Sequence, residues 1–532
     1  MTGVYSFDHD HGVPARELGH LLGGKGAGLA EMTTALGLNV PPGFTISVPV
    51  CRDYLENGWP EGLDDELRTH IERLRGRMGR RLGDHQDPLL VAVRSGAPVS
   101  MPGMLDTVLN LGLNDETVEG LARAAGDDRF AWDSYRRFLT MFATTVMGAG
   151  EDLLPTAPDH AGADELRTHV AELKRRIAEV TGREVPQVPF EQLRQAIEAV
   201  FRSWGSDRAR AYRAHEGIEE DLATACNVQV MVFGNRGEDS GTGVVFTRDP
   251  STGEAVPFGD YLPCAQGEDV VSGNSSTRPI GYLADHQPTA YQDLLTTLRR
   301  LELHYRDICD VEFTVENGKL WLLQTRIGKR GAVAAVRIAV EMADDPDIAL
   351  SPAEVLVRVP ETIRARARAE VAAAAHDPGV GTQLLGSGLG ASPGRVSGRV
   401  VLSADEAMDA DGDVILVRPT TSPEDVAGMS ASVGILTTRG GLVSHAAVVA
   451  RGWGIPAVVG AETLTVDDAG VRSADGARVK AGDLITIDGT SGCVWIGEVT
   501  GSDAEAADAV ARRLPHLLRL DEWAQRPEVT PA

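Results

Sequence analysis

The 532-residue sequence predicts an α/β fold of the α+β type, built from more than one domain. Runs of β-branched and apolar residues at 91–93, 227–233 and 484–487 are typical of buried strands. Between residues 116 and 204 the pattern turns helical, and four apolar residues share one helix face: Tyr135, Phe138, Leu139 and Phe142. The length allows about three domains of 100–200 residues each.

Composition excludes several classes of function. There are 51 basic and 77 acidic residues, and the resulting net charge of −26 argues against nucleic acid or an anionic membrane as the main partner. The five cysteines lie far apart without a C-x-x-C motif, which argues against a disulfide framework or a zinc site and fits a reducing cytoplasm. The N-terminal sequence resembles no export signal, and no run of about 18 apolar residues occurs. We therefore expect a cytoplasmic protein.

Two glycine-containing segments near the N terminus each carry a cation. Lys25 lies at the centre of a glycine cluster, 21–32, that leads into helix-forming residues, and Arg94 follows the strand 91–93. Backbone amides together with an ammonium or guanidinium group are suited to phosphate oxygens. The spacing of a Walker A loop is absent. A tight turn with a solvated lysine, or a surface arginine after a strand, remains the alternative interpretation.

The segment 237–243 is rich in glycine, serine and threonine and precedes another apolar run. Such a hairpin can fold over a triphosphate, with its backbone amides as donors, and Gly241 and Gly243 are the candidate positions. An ordinary flexible hairpin is the alternative.

The segment 310–326 has the pattern of a β-hairpin. Asp310 and Glu312 are two residues apart and share one face of the first strand, and Gln324 and Arg326 share one face of the second. Two carboxylates and an amide are ligands suited to Mg²⁺, and the arginine is suited to phosphate. The alternative is the polar outer face of a sheet.

The turn of this hairpin decides whether the two pairs meet. A two-residue Asn317-Gly318 turn in regular register places Gln324 opposite Val311 and away from Glu312. A three-residue turn over 316–318, with Gly318 in a G1 bulge, brings all four side chains to one face. We predict the bulged turn, because carboxylates and arginine must face the same nucleotide.

His445 is the candidate nucleophile. A short apolar strand over 433–437 leads into Gly440-Gly441, and a run of helix formers follows the histidine, with Ser444 in the N-cap position and Gly452 predicted to end the helix. An imidazole at a helix N-terminus suits a nitrogen that receives a phosphoryl group, because the amides and the helix dipole favour the dianion. A histidine that only caps or packs the junction is the alternative.

The string from Gly440 to Gly452 resembles the phosphohistidine signature of the pyruvate phosphate dikinase and phosphoenolpyruvate synthase family. The segment 421–429 is similar to that family's approach to this loop, and Ser444 before the histidine fits the dikinase branch, because the synthase branch has a cysteine there. Val443 stands where plant-type dikinases carry a regulatory threonine, so that control is not implied. The segments around Lys25, Arg94, 267–273 and the hairpin are similar as well, so the resemblance covers nearly all of the chain.

The resemblance implies an ATP-grasp-like nucleotide-binding domain over 1–340, with a helical insertion at about 116–204. A helical linker over 341–384 would join it to a swivelling β/β/α phosphohistidine domain over 385–500, and a C-terminal helix and tail would occupy 501–532.

It also implies the chemistry and the residues that perform it. ATP, with inorganic phosphate as co-substrate, would phosphorylate the catalytic His445 and give AMP and pyrophosphate. ATP would be bound by eight residues: Lys25, Arg94, Gly241, Gly243, Asp310, Glu312, Gln324 and Arg326. Mg²⁺ would be held by three of these: Glu312, Asp310 and Gln324.

Members of this family continue into a C-terminal barrel that binds pyruvate or phosphoenolpyruvate, and the sequence lacks it. We therefore expect the acceptor on a separate barrel subunit, docked through the leucines around 514–520, and a homodimer is possible. The alternatives are a phosphocarrier or regulatory ATP-binding module, an inactive interaction protein, and a small-molecule phosphotransferase of the rifampicin-inactivating type. The short link at 331–384 leaves no room for the substrate domain of the last class.

Overall fold

The structure, a computed structural model, describes residues 3–99, 101, 105–158, 161–220, 222–271, 277–374, 383–467, 469–499 and 514–526. The chain forms two compact units. The first comprises Met1–Ser240 and Thr314–Arg326, and the second comprises Gly241–Phe313 and Ile327–Ala532. The polypeptide thus leaves the second unit and returns to it within one β-hairpin.

The first unit combines an antiparallel sheet with a set of helices. Its strands are β1 (Val4–Ser6), β2 (Gly43–Ile46), β3 (Arg81–Leu82), β4 (Pro88–Leu89), β5 (Val91–Gly96), β6 (Thr107–Leu111) and β7 (Ala225–Val230). Its helices are α1 (Gly19–Thr34), α2 (Val48–Asn57), α3 (Leu63–Met78), α4 (Thr117–Ala125), α5 (Asp128–Thr145), α6 (Ala163–Thr181), α7 (Pro189–Ser203) and α8 (Asp207–Glu216). The main sheet has the order β1-β2-β7-β5-β6, and every neighbouring pair is antiparallel.

The helical stretch between β6 and β7 packs on this sheet through one large apolar core. On α5, the four residues predicted to share a face are all buried: Tyr135, Phe138, Leu139 and Phe142. Burying an aromatic side chain stabilises a fold by about 1.5–3 kcal/mol, so this stripe is a structural core. The side chain of Asp127 caps α5 by accepting a hydrogen bond from the backbone N–H of Phe130.

The second unit begins with β8 (Gly241–Phe246), β9 (Phe258–Pro263), α9 (Gly267–Val271), β10 (Arg278–Pro279), α10 (Tyr282–His286) and α11 (Pro288–Tyr305). The hairpin strands β11 (Cys309–Glu316) and β12 (Lys319–Ile327) follow, and the helices α12 (Ala332–Asp344), α13 (Pro352–Arg358) and α14 (Glu361–Ala374) come next. Within this unit β10, β9, β8 and β11 are successive neighbours in one sheet.

The rest of the second unit contains a mixed sheet. Its strands are β13 (Leu384–Ser387), β14 (Leu389–Ser392), β15 (Arg395–Val401), β16 (Val414–Arg418), β17 (Gly434–Thr437), β18 (Ala457–Val459), β22 (Leu484–Asp488) and β23 (Cys493–Ile496), and a smaller sheet holds β19 (Leu464–Asp467), β20 (Gly470–Ser473) and β21 (Arg478–Lys480). The helices are α15 (Ala404–Asp409), α16 (Val426–Ala431), α17 (His445–Trp453) and α18 (Pro515–Ala524).

At the centre of the mixed sheet, β15, β16, β17 and β18 are successive parallel neighbours. The carboxyl ends of parallel strands meet at the same edge of a sheet, which is where such folds place their ligands. The loops that follow β16 and β17 therefore lie side by side, and the second of them leads to His445. Both units are mixed in helix and strand, which confirms the predicted fold class.

The apolar face of α18 packs inside the second unit. Leu514, Leu517, Leu520 and Trp523 are buried in one core with residues of α12, α13 and α14. The prediction that these leucines dock a separate subunit is wrong for the buried ones, because their apolar surface is already covered. Leu518 is 52% exposed.

Among the residues that the structure describes, no helix is both long and apolar enough to cross a membrane.

Candidate active site

The loop that carries His445 is a short connection from β17 to α17. Gly440 has φ +101°, a conformation that side chains disfavour, and Ser444 occupies the N-cap with extended backbone angles. The Ser444 hydroxyl is buried and makes no hydrogen bond within the described part of the chain, so the cap position is as predicted but its side chain does not cap. The helix does not end at Gly452. It continues to Trp453, because the left-handed C-cap is Gly454.

The imidazole of His445 is half-buried, and its two nitrogens differ. Nδ1 lies 3.0 Å from the hydroxyl oxygen of Thr421, in the loop that follows β16. Nε2 is buried and has no hydrogen-bond partner among the described residues. Burial lowers the pKa of His445 below its ordinary value of 6.5, and the nearby Asp425 carboxylate opposes that shift. A neutral ring with an uncommitted nitrogen is a competent nucleophile.

The Thr421 loop is itself fixed by local hydrogen bonds. Asp425 is buried, and its carboxylate accepts from the backbone N–H and the hydroxyl of Ser422, at 2.8 and 3.2 Å. The Arg418 guanidinium lies 3.6 Å from the same carboxylate. Backbone N–H groups of Thr438 and Arg439 donate to the carbonyls of residues 418 and 419, at 3.2 and 2.9 Å. The loop after β16 and the loop after β17 are therefore joined by hydrogen bonds beside the ring.

Arg451 holds the far side of the loop. Its guanidinium is buried and donates to the carbonyl of Ala391, at 2.9 Å, and to the carbonyl of Leu442. It also lies 5.3 Å from the ring centroid of Phe246 on β8. The Arg451 side chain, which belongs to α17, thus contacts the loop before the helix, strand β14 and strand β8. Its place in the sequence signature gives no hint of these contacts.

Sequence reasoning missed Asp260 on β9. Its carboxylate lies against Gly441, so close that a Cβ on residue 441 would clash with it. Burial raises the pKa of Asp260, and the backbone amides of Val443 and Leu442 and the hydroxyl of Thr277 oppose that rise. Oδ2 of Asp260 has no hydrogen bond of good geometry to any residue in the described ranges. Asp260 and Gly441 are about 180 residues apart in the sequence, and no local pattern signals their contact.

The first unit places Lys25 beside β5. The backbone of α1 is kinked at Gly23, with φ +66° and ψ 164°, so Lys25 lies in the first turn of the straight part of the helix. A Cβ on Gly23 would clash with the carbonyl oxygen of Gly96. The N–H of Gly24 donates to the carbonyl of Ala97, at 2.9 Å, and is therefore engaged by the protein itself. The half-buried Lys25 side chain begins next to Gly96.

Arg94 and the end of the hairpin lie in the same part of the first unit. The Arg94 guanidinium donates to the carbonyl of Leu323 on β12, at 3.4 Å. The helix α1 packs on that strand at Gly28, where a Cβ would lie 3.1 Å from the Thr325 carbonyl oxygen. Gln324 and Arg326 flank Thr325 and are half-buried. The first unit thus brings together the elements that carry Lys25, Arg94, Gln324 and Arg326.

The hairpin turn differs from the prediction. β11 ends at Glu316 and β12 begins at Lys319, and Asn317 and Gly318 have φ +50° and +74°. This is a two-residue turn with both central residues left-handed, the type that matches the twist of the strands, and Asn-Gly is its preferred sequence. The predicted three-residue bulged turn is wrong, because the local preference of Asn-Gly prevails.

The alternation of buried and less buried side chains along β12 is nevertheless interrupted within the strand. Leu320 and Leu322 are buried, and the next fully buried residue is Thr325, so the alternation shifts by one position between them. Gln324 and Arg326 therefore lie on the face opposite Thr325. Asp310 and Glu312 belong to the second unit, and the meeting of the two pairs stays a prediction.

In the second unit, β8 and β11 are neighbours in one sheet. Asp310 is buried and Glu312 is half-buried on β11. Gly241 and Gly243 lie in β8 and are buried, so the loop part of the predicted 237–243 flap ends at Ser240. A Cβ on Gly241 would clash with Tyr261, and one on Gly243 would lie 2.7 Å from the Phe313 ring. Packing alone therefore explains why these two residues are glycines.

No cluster of three or more histidine, cysteine or acidic side chains that could hold a metal occurs in the part of the chain that the structure describes. This does not conflict with Mg²⁺, which proteins bind through one or two carboxylates together with substrate phosphates and water. Two carboxylates on alternate positions of β11, Asp310 and Glu312, fit that donor set.

Some predicted motifs lie outside the described residues. They are positions 100 and 102–104 of the segment after Arg94, positions 272–273 of the 267–273 segment, 375–382 of the linker, and 501–513 and 527–532 of the tail.

Comparison with known proteins assigns the chain to a family. The family model described as "Pyruvate phosphate dikinase, AMP/ATP-binding domain" matches residues 19–74 and 58–289, just over half of the chain. A second, described as "PEP-utilising enzyme, mobile domain", matches residues 410–492 and includes His445.

Relatives named pyruvate, phosphate dikinase match nearly the whole chain. The Rhizobium meliloti protein is 47% identical over 529 residues, the Clostridium symbiosum protein 43% over 530, and the chloroplastic protein of Flaveria trinervia 44% over 518. These alignments cover 93%, 96% and 93% of this chain. The chain spans 58%, 59% and 53% of the length of those relatives. The chain belongs to the pyruvate phosphate dikinase family.

Proposed function

We propose that this chain is the ATP-charged, phosphoryl-carrying part of a dikinase-type phosphotransferase, and that His445 carries the phosphoryl group. The observation that supports this best is the setting of the ring: it lies at the N-terminus of α17, its Nε2 has no partner among the described residues, and burial lowers its pKa. The family match over 410–492 supports the same assignment.

ATP is bound, in this proposal, through the cations and polar groups that the sequence singled out. Lys25, Arg94 and Arg326 neutralise phosphate charge, and Gln324 adds an amide. The contacts of Arg94 with Leu323, and of α1 with β12, support it, because they set these elements side by side within the first unit. Catalysis of phosphoryl transfer consists mostly of positioning and of electrostatic stabilisation.

We further propose that Glu312, Asp310 and Gln324 hold Mg²⁺. When bound, the metal neutralises charge on the transferring phosphates. The two carboxylates of β11 supply the hard oxygen ligands that this cation requires.

The transfer conserves atoms and charge as follows. The lone pair of His445 Nε2 forms a bond to the β-phosphorus of ATP, and the bond from that phosphorus to the bridging oxygen of AMP breaks, so AMP leaves. Inorganic phosphate then takes the terminal phosphoryl group as pyrophosphate. One phosphoryl group remains on Nε2, and Nδ1 keeps its proton throughout.

The acceptor is proposed to be pyruvate, as the printed names of the relatives suggest, bound at a site outside residues 1–532. A separate barrel subunit is one form that such a site can take. The domain that bears His445 would move on its linkers between the nucleotide and that site.

Incubation with [β-³²P]ATP, Mg²⁺ and phosphate tests the carrier. We expect acid-labile label on the wild-type protein and none on His445→Ala, because the nucleophile is gone. His286→Ala is the matched control, since His286 is an exposed histidine on α10, and it should label like the wild type. Equal labelling of His445→Ala, or an unlabelled wild type, contradicts the proposal.

Lys25→Met tests the nucleotide site. Loss of the ammonium group should lower the rate of labelling at limiting ATP by about 100-fold, the cost of removing one group that stabilises transition-state charge. Lys174→Met removes a half-buried lysine paired with Asp115 at 2.6 Å and should leave the rate unchanged. An unchanged rate for Lys25→Met would mean that Lys25 does not bind ATP.

The acceptor is tested by a chase of the purified labelled protein. Pyruvate alone should leave the label on the protein. Pyruvate together with the C-terminal part of the Clostridium symbiosum relative should release it as labelled phosphoenolpyruvate. Discharge by pyruvate alone would place the acceptor site within this chain, and retention of the label in both arms would argue against pyruvate as acceptor.

The pKa of His445 is directly measurable by an NMR titration of the histidine ring signals. The midpoint should lie below 6.5, because burial disfavours the charged ring. The neutral nucleophile then persists below pH 6.5, and labelling declines only as the pH falls through that lower midpoint. Asp425→Asn should lower the midpoint further, since it removes the charge that favours protonation. A midpoint at or above 6.5 contradicts this account of the site.

A further inference from the structure

The hydroxyl of Thr421 is the polar group nearest to the carrier ring for which the structure gives a contact distance. Its oxygen lies 3.0 Å from Nδ1 of His445, and Nε2 of the same ring is buried without a partner among the described residues. Thr421 comes after β16 and His445 after β17, and these are neighbouring parallel strands. The topology of the sheet therefore sets this side chain against the ring.

The two neutral forms of the ring use this contact differently. With the proton on Nδ1, the ring donates to the Thr421 oxygen, and Nε2 keeps only a lone pair. With the proton on Nε2, the hydroxyl donates to Nδ1, and a buried N–H is left without an acceptor in the described part of the chain. Leaving a buried donor unsatisfied is costly. In a histidine, the hydrogen bond made by one nitrogen sets the protonation of the other.

The position of Thr421 is well determined. Residues 418 and 419 accept backbone hydrogen bonds from residues 438 and 439 of the His445 loop, at 3.2 and 2.9 Å. On its other side, Ser422 is tied to the buried Asp425 through its N–H and its hydroxyl. The threonine thus sits between two fixed neighbours and does not depend on its own contact with the ring for its place.

We propose that Thr421 is a positioning residue for phosphoryl transfer: its hydroxyl oxygen accepts from Nδ1–H of His445 and thereby reserves the Nε2 lone pair for phosphorus. This rests on the function proposed above. As the N–P bond forms and the bond to the leaving oxygen breaks, the ring gains positive charge while Nδ1 keeps its proton. The hydrogen bond to Thr421 strengthens at that moment, because bonds from a charged donor are stronger than bonds from a neutral one.

The first experiment determines which ring nitrogen of His445 carries the proton, and it requires no nucleotide. Long-range ¹H–¹⁵N correlation of protein with ¹⁵N-labelled histidine distinguishes the two nitrogens, and the His445→Ala spectrum identifies the signals. We expect Nδ1–H in the wild type and in Thr421→Ser, and a loss of that preference in Thr421→Val. Thr465→Val, which removes an exposed hydroxyl on β19, is the control. An Nε2–H ring in the wild type overturns the proposal, whatever the variants do.

The second experiment follows the rate of labelling from [β-³²P]ATP. Thr421→Val should slow it by about 10- to 100-fold, as loss of a hydrogen bond to a group that becomes charged would, with little change in the ATP concentration that gives half the maximal rate. Thr421→Ser should restore the rate to within about threefold, since the hydroxyl returns. A slow but rescued variant supports positioning, and an unchanged rate for Thr421→Val refutes it.

The outcomes separate the two proposals. A wild type that takes no label, yet shows an Nδ1–H ring that depends on Thr421, contradicts the phosphotransferase function and leaves the contact intact. A labelled wild type whose tautomer and rate are unaffected by Thr421→Val contradicts the role of Thr421 alone. If Thr421→Val does not fold, the wild-type tautomer and the serine variant still decide.

Discussion

A histidine that carries a phosphoryl group must keep one nitrogen neutral and uncommitted while the rest of the ring is held still. At His445, the proposed carrier, partial burial would meet this requirement. Burial disfavours the protonated ring, and the polar contact of Nδ1 with Thr421 leaves Nε2 as the nitrogen without a partner among the described residues. Gly440 allows the sharp turn before the ring, and the hydrogen bonds of the buried Arg451 hold the loop in place.

The charged side chains near the two ends of the helix that begins at His445 have the signs that suit its dipole. The Asp260 carboxylate lies against Gly441, just before the N-terminus of the helix. At the other end the Arg366 guanidinium donates to the carbonyl of Gly454, at 2.8 Å, and Nζ of Lys329 lies against Gly452. An anion at the start and cations at the end follow the sign of the helix dipole. These contacts hold α17 and the His445 loop against other parts of the second unit.

The net charge of −26 opposes the binding of an anionic nucleotide. A triphosphate approaching an acidic protein needs local cations. Lys25, Arg94 and Arg326 are carried on elements that contact one another within the first unit, and Lys25 lies in the first turn after the kink at Gly23, where the positive end of the helix dipole adds to its charge. The proposed ATP site therefore concentrates positive charge in one place and leaves the remaining surface acidic.

The sequence by itself determined many of the elements, and it singled out His445, the proposed nucleophile. The helical spacing of Tyr135 to Phe142, the apolar strand before His445 and the glycines around it are local patterns, and local patterns survive into the fold. The Asn317-Gly318 turn is local as well: the conformational preference of the Asn-Gly pair decides its geometry, and the need to bring four polar side chains to one face does not.

Tertiary structure alone decided which distant groups meet. The contact of Asp260 with Gly441 and that of Thr421 with the ring join separate strands, and the burial of the leucines of α18 depends on helices about 140 residues or more earlier in the chain. Such contacts arise from strand order and from the packing of whole elements, and neither is encoded in the spacing of neighbouring residues.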